Sequence, residues 1–278
     1  MKRLLSIELQ KIWKNRASRI LTLTYFILLT FLTLIASIKF DIGPFHLDLA
    51  EQGIFNFPYI WHFNTYFASF FKIFLAVVIV SMMANEYSYG TLKQNLIDGM
   101  SKKEFIYSKF LTVTLFAGIS AVFVFIVSLI LGLIFSSFNE PSIIFSQMEY
   151  LLAYFVKLIG FFSFCLFLGI LVKKSAFALG FLIFWNIIEG IIIGILSFKI
   201  FPKSDTAHSI TQFLPLESMS NLIIEPVTRL AVIKSIGNQV GIENVKDYDV
   251  HWYSILIVLA WTSIFIFLSH YIIKKRDL

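Results

Sequence analysis

Charge and cysteine are scarce in this 278-residue sequence. Only 14% of its residues are charged, against roughly a quarter in a soluble globular domain, whereas 58% are hydrophobic. This shortage of charge excludes an ordinary water-exposed surface. The single cysteine, Cys165, excludes an internal disulfide framework, and no cysteines and histidines have the spacing of a zinc site. We therefore expect neither redox chemistry nor structural zinc.

The sequence also lacks the motifs of an enzyme. It has no G-x-x-x-x-G-K-[ST] loop to hold phosphates, no nucleophile–base arrangement, and no polar region large enough for a nucleotide-binding domain. Its 32 phenylalanines are scattered through every apolar run, which is unlike a stacking platform for bases. The sequence predicts neither an enzyme nor a nucleic-acid-binding protein.

Long apolar runs are abundant instead. A bilayer core of about 30 Å needs about 20 apolar residues per helix, and six segments approach or exceed this length: roughly 20–38, 66–83, 105–135, 151–172, 176–198 and 252–273. The third run is longer than a bilayer requires, so its first turns, with Tyr107, Ser108 and Lys109, are expected to project into water or tilt. The prediction is an all-α integral membrane protein in which residues 1–278 form one transmembrane domain of six helices.

The positions of the basic residues predict the orientation. Lysines and arginines cluster at both termini, between the second and third spans and, as Lys173 and Lys174, between the fourth and fifth spans. The alternate loops carry acidic residues such as Asp48 and Glu51. Because cytoplasmic loops carry an excess of lysine and arginine, both termini are predicted to be cytoplasmic.

Two further segments have helical patterns outside the spans. In residues 1–19, Leu5, Leu9, Ile12 and Trp13 fall on one face, which indicates either a helix resting in the cytoplasmic interface or a basic anchor. The long external loop 199–250 is interrupted by prolines. It has apolar residues at helical spacing, which favour short helices on the outer membrane face over a plain external cap; these are Met219, Leu222 and Ile223, then Leu230, Ile233 and Ile236.

The most informative segment is the cytoplasmic stretch 84–104. Thr91 is a plausible helix start, Leu92 and Leu96 have helical spacing, and Gly99 is a natural helix stop. Ser101 and Glu104 then fit a capping box at the start of the third span. The pattern predicts a short amphipathic helix across the membrane face, with an ordinary amphipathic loop as the alternative.

This stretch resembles the membrane subunits of type-2 ABC exporters. The matching residues are a Glu, a Gly-Thr-Leu, a turn with Ser and a basic residue, and a Lys in the next helix: Glu86, Gly90, Thr91, Leu92, Ser101, Lys102 and Lys109. The proline common in that turn is absent, with Gly99 and Met100 in its place, which points to a subgroup. The motif covers only 84–110, whereas the topology agrees over the whole chain.

The resemblance implies a permease subunit that exports an amphiphilic or hydrophobic substrate across a bacterial cytoplasmic membrane. Two permease subunits, identical or related, would work with two copies of a separate ATPase subunit, which would bind ATP and Mg; this chain would hold no cofactor. The residues expected to couple the chain to the ATPase are Glu86, Gly90, Thr91, Leu92, Leu96, Gly99, Ser101, Lys102 and Lys103. Variants of this role would be a permease-like component serving peptide immunity or metalloprotein assembly.

Three ionisable residues lie within the predicted spans: Lys72, Lys157 and Glu189. Charges inside a membrane are costly and normally face a partner or water. They indicate either a polar element near an outer gate or a structural pair between Glu189 and a lysine. They would also suit an ion- or proton-coupled secondary transporter, although no inverted repeat is visible. The five histidines lie near span ends or in loops, where interfacial packing is the expected role.

Overall fold

The computed structural model describes residues 2–36, 40–42, 45–47, 53–202, 206–230 and 246–276. Almost all of its secondary structure is helical, as predicted, although the segment after the second helix also carries a two-stranded antiparallel hairpin, β1 (Phe40–Ile42) with β2 (Phe45–Leu47). The helices are α1 (Lys2–Lys14), α2 (Arg16–Ala36), α3 (Tyr59–Ala68), α4 (Lys72–Ser88), α5 (Thr91–Ile97), α6 (Lys102–Phe135), α7 (Pro141–Ile144), α8 (Glu149–Val172), α9 (Ser175–Gly194), α10 (Thr206–Thr211), α11 (Pro215–Ser220) and α12 (Trp252–Lys275).

Five helical stretches of the described residues are long and apolar enough to cross a membrane. They correspond to the second to sixth predicted spans and run Tyr59–Ser88, Lys102–Phe135, Pro141–Val172, Ser175–Ile200 and Trp252–Lys275. The segment predicted as the first span is also helical, as α2, but it is not among these five. Many of their outward-facing side chains are apolar and exposed, above all on α6, α9 and α12, as expected of surfaces that contact lipid.

Two span boundaries differ from the prediction. The second span begins at Tyr59 rather than near residue 66, because it consists of α3 and α4 joined through a 3-10 turn at Ser69–Phe71. The fifth span continues past α9 through a π-helical turn, Ile195–Ile200, so the following loop begins later than residue 199. At the N-terminus, Asn15 Oδ1 accepts a hydrogen bond from the Ser18 backbone N–H (3.0 Å) and so caps α2, which separates α2 from α1 before residue 19.

Helix α8 lies at the centre of the bundle and packs against α4, α6, α9 and α12. Two glycines allow this close approach. A Cβ added at Gly160 would lie 2.7 Å from the side chain of Val258 on α12, and one at Gly169 would lie 3.0 Å from Met83 on α4. The core is therefore built around one helix that is buried along most of its length.

The loop after the fifth span contains the short helices α10 and α11 and a 3-10 turn at Val227–Arg229. Of the first apolar group in this loop, Met219 lies in α11, whereas Leu222 and Ile223 follow the end of that helix but are still buried. Several residues of the sequence predictions lie outside the described residues: Asp48, Glu51, Ile233 and Ile236.

Candidate functional site

A buried ion cluster joins three helices at one end of the bundle. The Nζ atom of Lys109 on α6 lies 2.5 Å from a carboxylate oxygen of Glu8 on α1 and 2.5 Å from one of Glu86 on α4. Lys109 has no exposed surface, and both glutamates are buried. An isolated buried charge is very costly, so these three groups stabilise the structure only as a set.

Lys11 supplies the second cation of the cluster. Its Nζ lies 2.8 Å from Glu86 and 3.6 Å from Glu8, one turn before it on α1, and it is partly exposed. Burial by itself would lower the pKa of Lys11, but its hydrogen bonds to the two glutamates and their negative charges outweigh this and raise the pKa. Two ammonium groups therefore balance two carboxylates.

The same cluster holds the beginning of α5. Glu86 Oε2 accepts a hydrogen bond from Thr91 Oγ1 (2.5 Å), and Thr91 is the first residue of the short helix, as the sequence predicts. Gly90 makes the turn into α5 with φ +68°, in the left-handed region that favours glycine. Leu92 is buried under the helix. The start of α5 is thus held to α4 by one hydrogen bond, and its first apolar side chain lies in the core.

The outer face of α5 is open. Ile97 at its end and Tyr89 just before it are among the most exposed large side chains of the described residues, at 76% and 75%. Lys93 and Gln94 are exposed beside them. A groove of about 360 Å³ also opens next to Glu86 and is lined by Tyr89 and Lys11. This short helix therefore presents a mixed polar and apolar surface on one side and a buried ion cluster on the other.

The rest of the predicted stretch has the expected local structure. Leu96 is half-buried, and Gly99, with φ +95°, follows the end of α5. Ser101 and Glu104 form the predicted capping box: each accepts a hydrogen bond from the other residue's backbone N–H. Lys103 is exposed.

Lys102 and Arg276 tie the end of the last helix into the same region. The Lys102 ammonium donates to the backbone carbonyls of Lys274 (3.2 Å) and Arg276 (3.0 Å). The Arg276 guanidinium donates to the carbonyls of Ile170 (2.6 Å) and Leu171 (3.1 Å), which are left without intrahelical donors at the end of α8. Lysine and arginine side chains thus donate hydrogen bonds to the free carbonyl groups at the C-terminal ends of both α8 and α12.

The placement of Ser108 and Lys109 corrects the sequence prediction. The first turns of α6 were expected to project into water or tilt, and Tyr107 is indeed exposed. Ser108 and Lys109 are buried instead, because α1 folds over this side of α6 and supplies Glu8. The sequence pattern marked Glu86 and Lys109 but not Glu8, which stands alone among the basic residues of the N-terminal segment.

The three ionisable residues of the predicted spans do not form one site. Glu189 accepts hydrogen bonds from the backbone N–H groups of Leu216 and Glu217 (3.0 Å each at the shortest) and from the indole N–H of Trp185 (2.5 Å). It therefore caps the N-terminus of α11. Among the described residues it forms no ion pair with Lys72 or Lys157, so a Glu189–lysine pair is not found. The two lysines line a separate cavity.

A second polar cluster, which the sequence analysis missed, surrounds His62 on α3. Its Nε2–H donates to the carbonyl of Ile224 (2.7 Å) while Nδ1 accepts from Arg229 (3.1 Å), a pattern that fits the neutral imidazole. The ring of His62 also stacks on Tyr150 at 4.3 Å. The partners are up to 167 residues apart, so no local spacing could reveal this cluster. It fixes the loop after α11 to the start of the second span.

By the length and apolar composition of its helices, the chain is a multi-pass helical membrane protein. It belongs to the family described as "Protein of unknown function (DUF2705)", whose model matches residues 44–278, more than half of the sequence. A shorter stretch of 79 residues is 34% identical to "Uncharacterized protein YhcI" of Bacillus subtilis (strain 168). That stretch takes in 27% of this chain and 25% of the relative, so the similarity extends over about a quarter of the relative's length.

Proposed function

We propose that the chain is the membrane-spanning permease subunit of an ATP-driven ABC transporter, which exports an amphiphilic or hydrophobic substrate while a separate subunit hydrolyses ATP. One observation carries the proposal: α5 has an exposed outer face, and its first residue is hydrogen-bonded to a buried ion cluster that joins α1, α4 and α6. This is the arrangement that a docking helix needs if movement of a partner is to reach the membrane-spanning helices.

The local structure favours movement of α5 as a unit. Gly90 precedes it and Gly99 follows it, both with positive φ, so the chain can bend on either side. Thr91 and Glu86 connect its start to α4, and α6 begins only a few residues after its end. A displacement of α5 would therefore act on α4 and α6 together. The ion cluster resists their separation, because breaking a buried pair costs about 3–5 kcal/mol.

The proposed assembly is the one that the resemblance to type-2 ABC exporters implies. The chain would cross a bacterial cytoplasmic membrane six times, with α2 as the first span and both termini in the cytoplasm, on the side of α5. Two permease subunits, identical or related, would dock two ATPase subunits that bind ATP and Mg. The basic residues at both termini and beside α5 support this orientation.

The test is whether an ATPase docks on α5. Ile97→Asp changes an exposed residue of α5 and removes no buried contact, so the protein should still insert and fold. Lys174→Asp is the matched control, since it places the same carboxylate on the exposed turn between α8 and α9. An ATPase with a phosphate-binding loop should copurify with the wild-type chain and with Lys174→Asp, but not with Ile97→Asp.

Two results would count against the proposal. One is the absence of any such ATPase from the wild-type complex, together with transport that continues without ATP; this would favour an ion-coupled secondary transporter. The other is full ATPase association in Ile97→Asp, which would make α5 only a connector between two spans.

A further inference from the structure

A polar cavity lies at the other end of the bundle from α5. It has a volume of about 420 Å³, is open to the surface, and is lined by the α3–α4 junction, by α8 and by the segment that follows α11. Lys72 at the start of α4 and Lys157 on α8 both line it. The cavity is therefore a place where two lysines meet inside the apolar part of the bundle.

Among the described residues, the two lysines have no anionic partner. Lys157 is 4% exposed, and Lys72 Nζ lies 4.5 Å from the centroid of the Phe161 ring. Within the part of the chain that the structure describes, neither lysine forms a hydrogen bond or an ion pair. Glu189 caps α11. Glu225 also lines the cavity, but its carboxylate accepts hydrogen bonds from Lys246 and Thr228 rather than from the two lysines.

Such a pair of cations is costly without a ligand. A lysine inside the apolar part of a membrane is costly, and two neighbouring ammonium groups also repel each other. A bound anion would offset both effects. The arrangement is thus typical of a site that is completed by a negatively charged group from outside the chain.

The lining of the cavity fits a lipid headgroup. Lys72 and Lys157 lie near the middle of the helical stretches Tyr59–Ser88 and Pro141–Val172. The cavity reaches from them to the loop after the fifth span, on the side of the bundle opposite α5, since Ile223 and Ile224 of that loop also line it. Phe70 and Ile73 line the same cavity and are themselves exposed, at 60% and 52%. They provide an apolar surface for an acyl chain beside the cationic end.

We propose that this cavity binds the phosphate of a phospholipid from the leaflet opposite α5, with Lys72 and Lys157 as its cationic contacts and Phe70 and Ile73 beside the acyl chain. The inference does not depend on the ATPase. It concerns a lipid-binding site in the chain itself and holds whether or not α5 docks a partner.

The experiment measures lipid binding to the purified full-length protein in detergent by native mass spectrometry. Phosphatidylglycerol is the probe, diacylglycerol is the matched lipid without phosphate, and glycerol phosphate is the matched anion without acyl chains. Wild-type protein should retain phosphatidylglycerol at least tenfold more strongly than either matched compound. Lys72→Gln combined with Lys157→Gln should remove this preference, and Lys72→Gln alone should weaken it.

Lys174→Gln serves as the charge control, because it removes one exposed lysine at the opposite end of α8. It should leave the preference unchanged. Removing the charges of the partly exposed Lys72 and the buried Lys157 should not impair folding, and the melting temperature of each variant verifies this. Equal retention of diacylglycerol, or unchanged phosphatidylglycerol binding in the double variant, would overturn the proposal. Equal binding of glycerol phosphate would also overturn it, because the ligand would then be a free anion rather than a lipid.

Discussion

Replacing Lys109 with methionine removes the central cation of the ion cluster but keeps a side chain of similar length. Glu8 and Glu86 would then share only Lys11, which is partly exposed and lies 3.6 Å from Glu8. Removing one partner of a buried ion pair costs about 3–5 kcal/mol, since a charge is left buried without compensation. For a chain of this size each kcal/mol lowers the melting temperature by about 2–4 °C, so Lys109→Met should lower it by about 6–20 °C.

Thermal unfolding of the detergent-solubilised protein, followed by size-exclusion fluorescence, measures this loss. Lys103→Met is the matched control, because Lys103 is exposed on the same helix and its replacement should change the stability by no more than about 0.5 kcal/mol. A second substitution, Glu8→Gln, should restore part of the stability of Lys109→Met by removing one of the stranded carboxylates. Equal melting temperatures for Lys109→Met and Lys103→Met would refute the reasoning, as would purely additive effects of Lys109→Met and Glu8→Gln.

Three further predictions concern the packing at Gly132, the cap of α11 and the membrane topology. Gly132→Ala should lower the free energy of unfolding by about 1–3 kcal/mol, because the added methyl group would lie 2.2 Å from the ring of Phe57. Gly180→Ala is the control, since open space surrounds Gly180 and the substitution should leave the stability unchanged. Equal loss of stability in both variants would contradict this prediction. Glu189→Ala should cost about 1 kcal/mol in the same assay through the lost cap of α11, and an unchanged midpoint would show that the cap is dispensable. In a protein without other thiols, Asp247→Cys should react with an impermeant maleimide on intact cells, because this residue is proposed to face the outside. Lys174→Cys should react only after permeabilisation, and the reverse pattern would show that the topology is inverted.

The sequence predicted the local features of this protein better than its long-range contacts. The start of α5 at Thr91, the break at Gly99 and the capping box of Ser101 all depend on residues within a few positions of each other. Such features follow from backbone preference and from side chains that reach the nearest N–H group. Local chemistry was therefore sufficient for them.

The ion cluster and the extent of the second span required the folded structure. Glu8 and Lys109 are 101 residues apart, and nothing in either neighbourhood shows that α1 folds over α6. The earlier start of the second span, at Tyr59, was also missed, because polar residues such as Asn64 reduce the hydrophobicity there. Asn64 is buried and donates to Ser128 (2.8 Å), a contact between distant segments that hydropathy does not detect.

The separation of Glu8 from Lys109 has a consequence for synthesis. At about 5–20 residues per second, the ribosome adds Lys109 about 5–20 s after Glu8. During this interval α1 carries a carboxylate whose final cation does not yet exist. Lys11, one turn away on the same helix, is the local partner that can hold this charge in the meantime. The Glu8–Lys109 contact therefore forms only after α6 has emerged, so α1 is made well before the helix that fixes it in place.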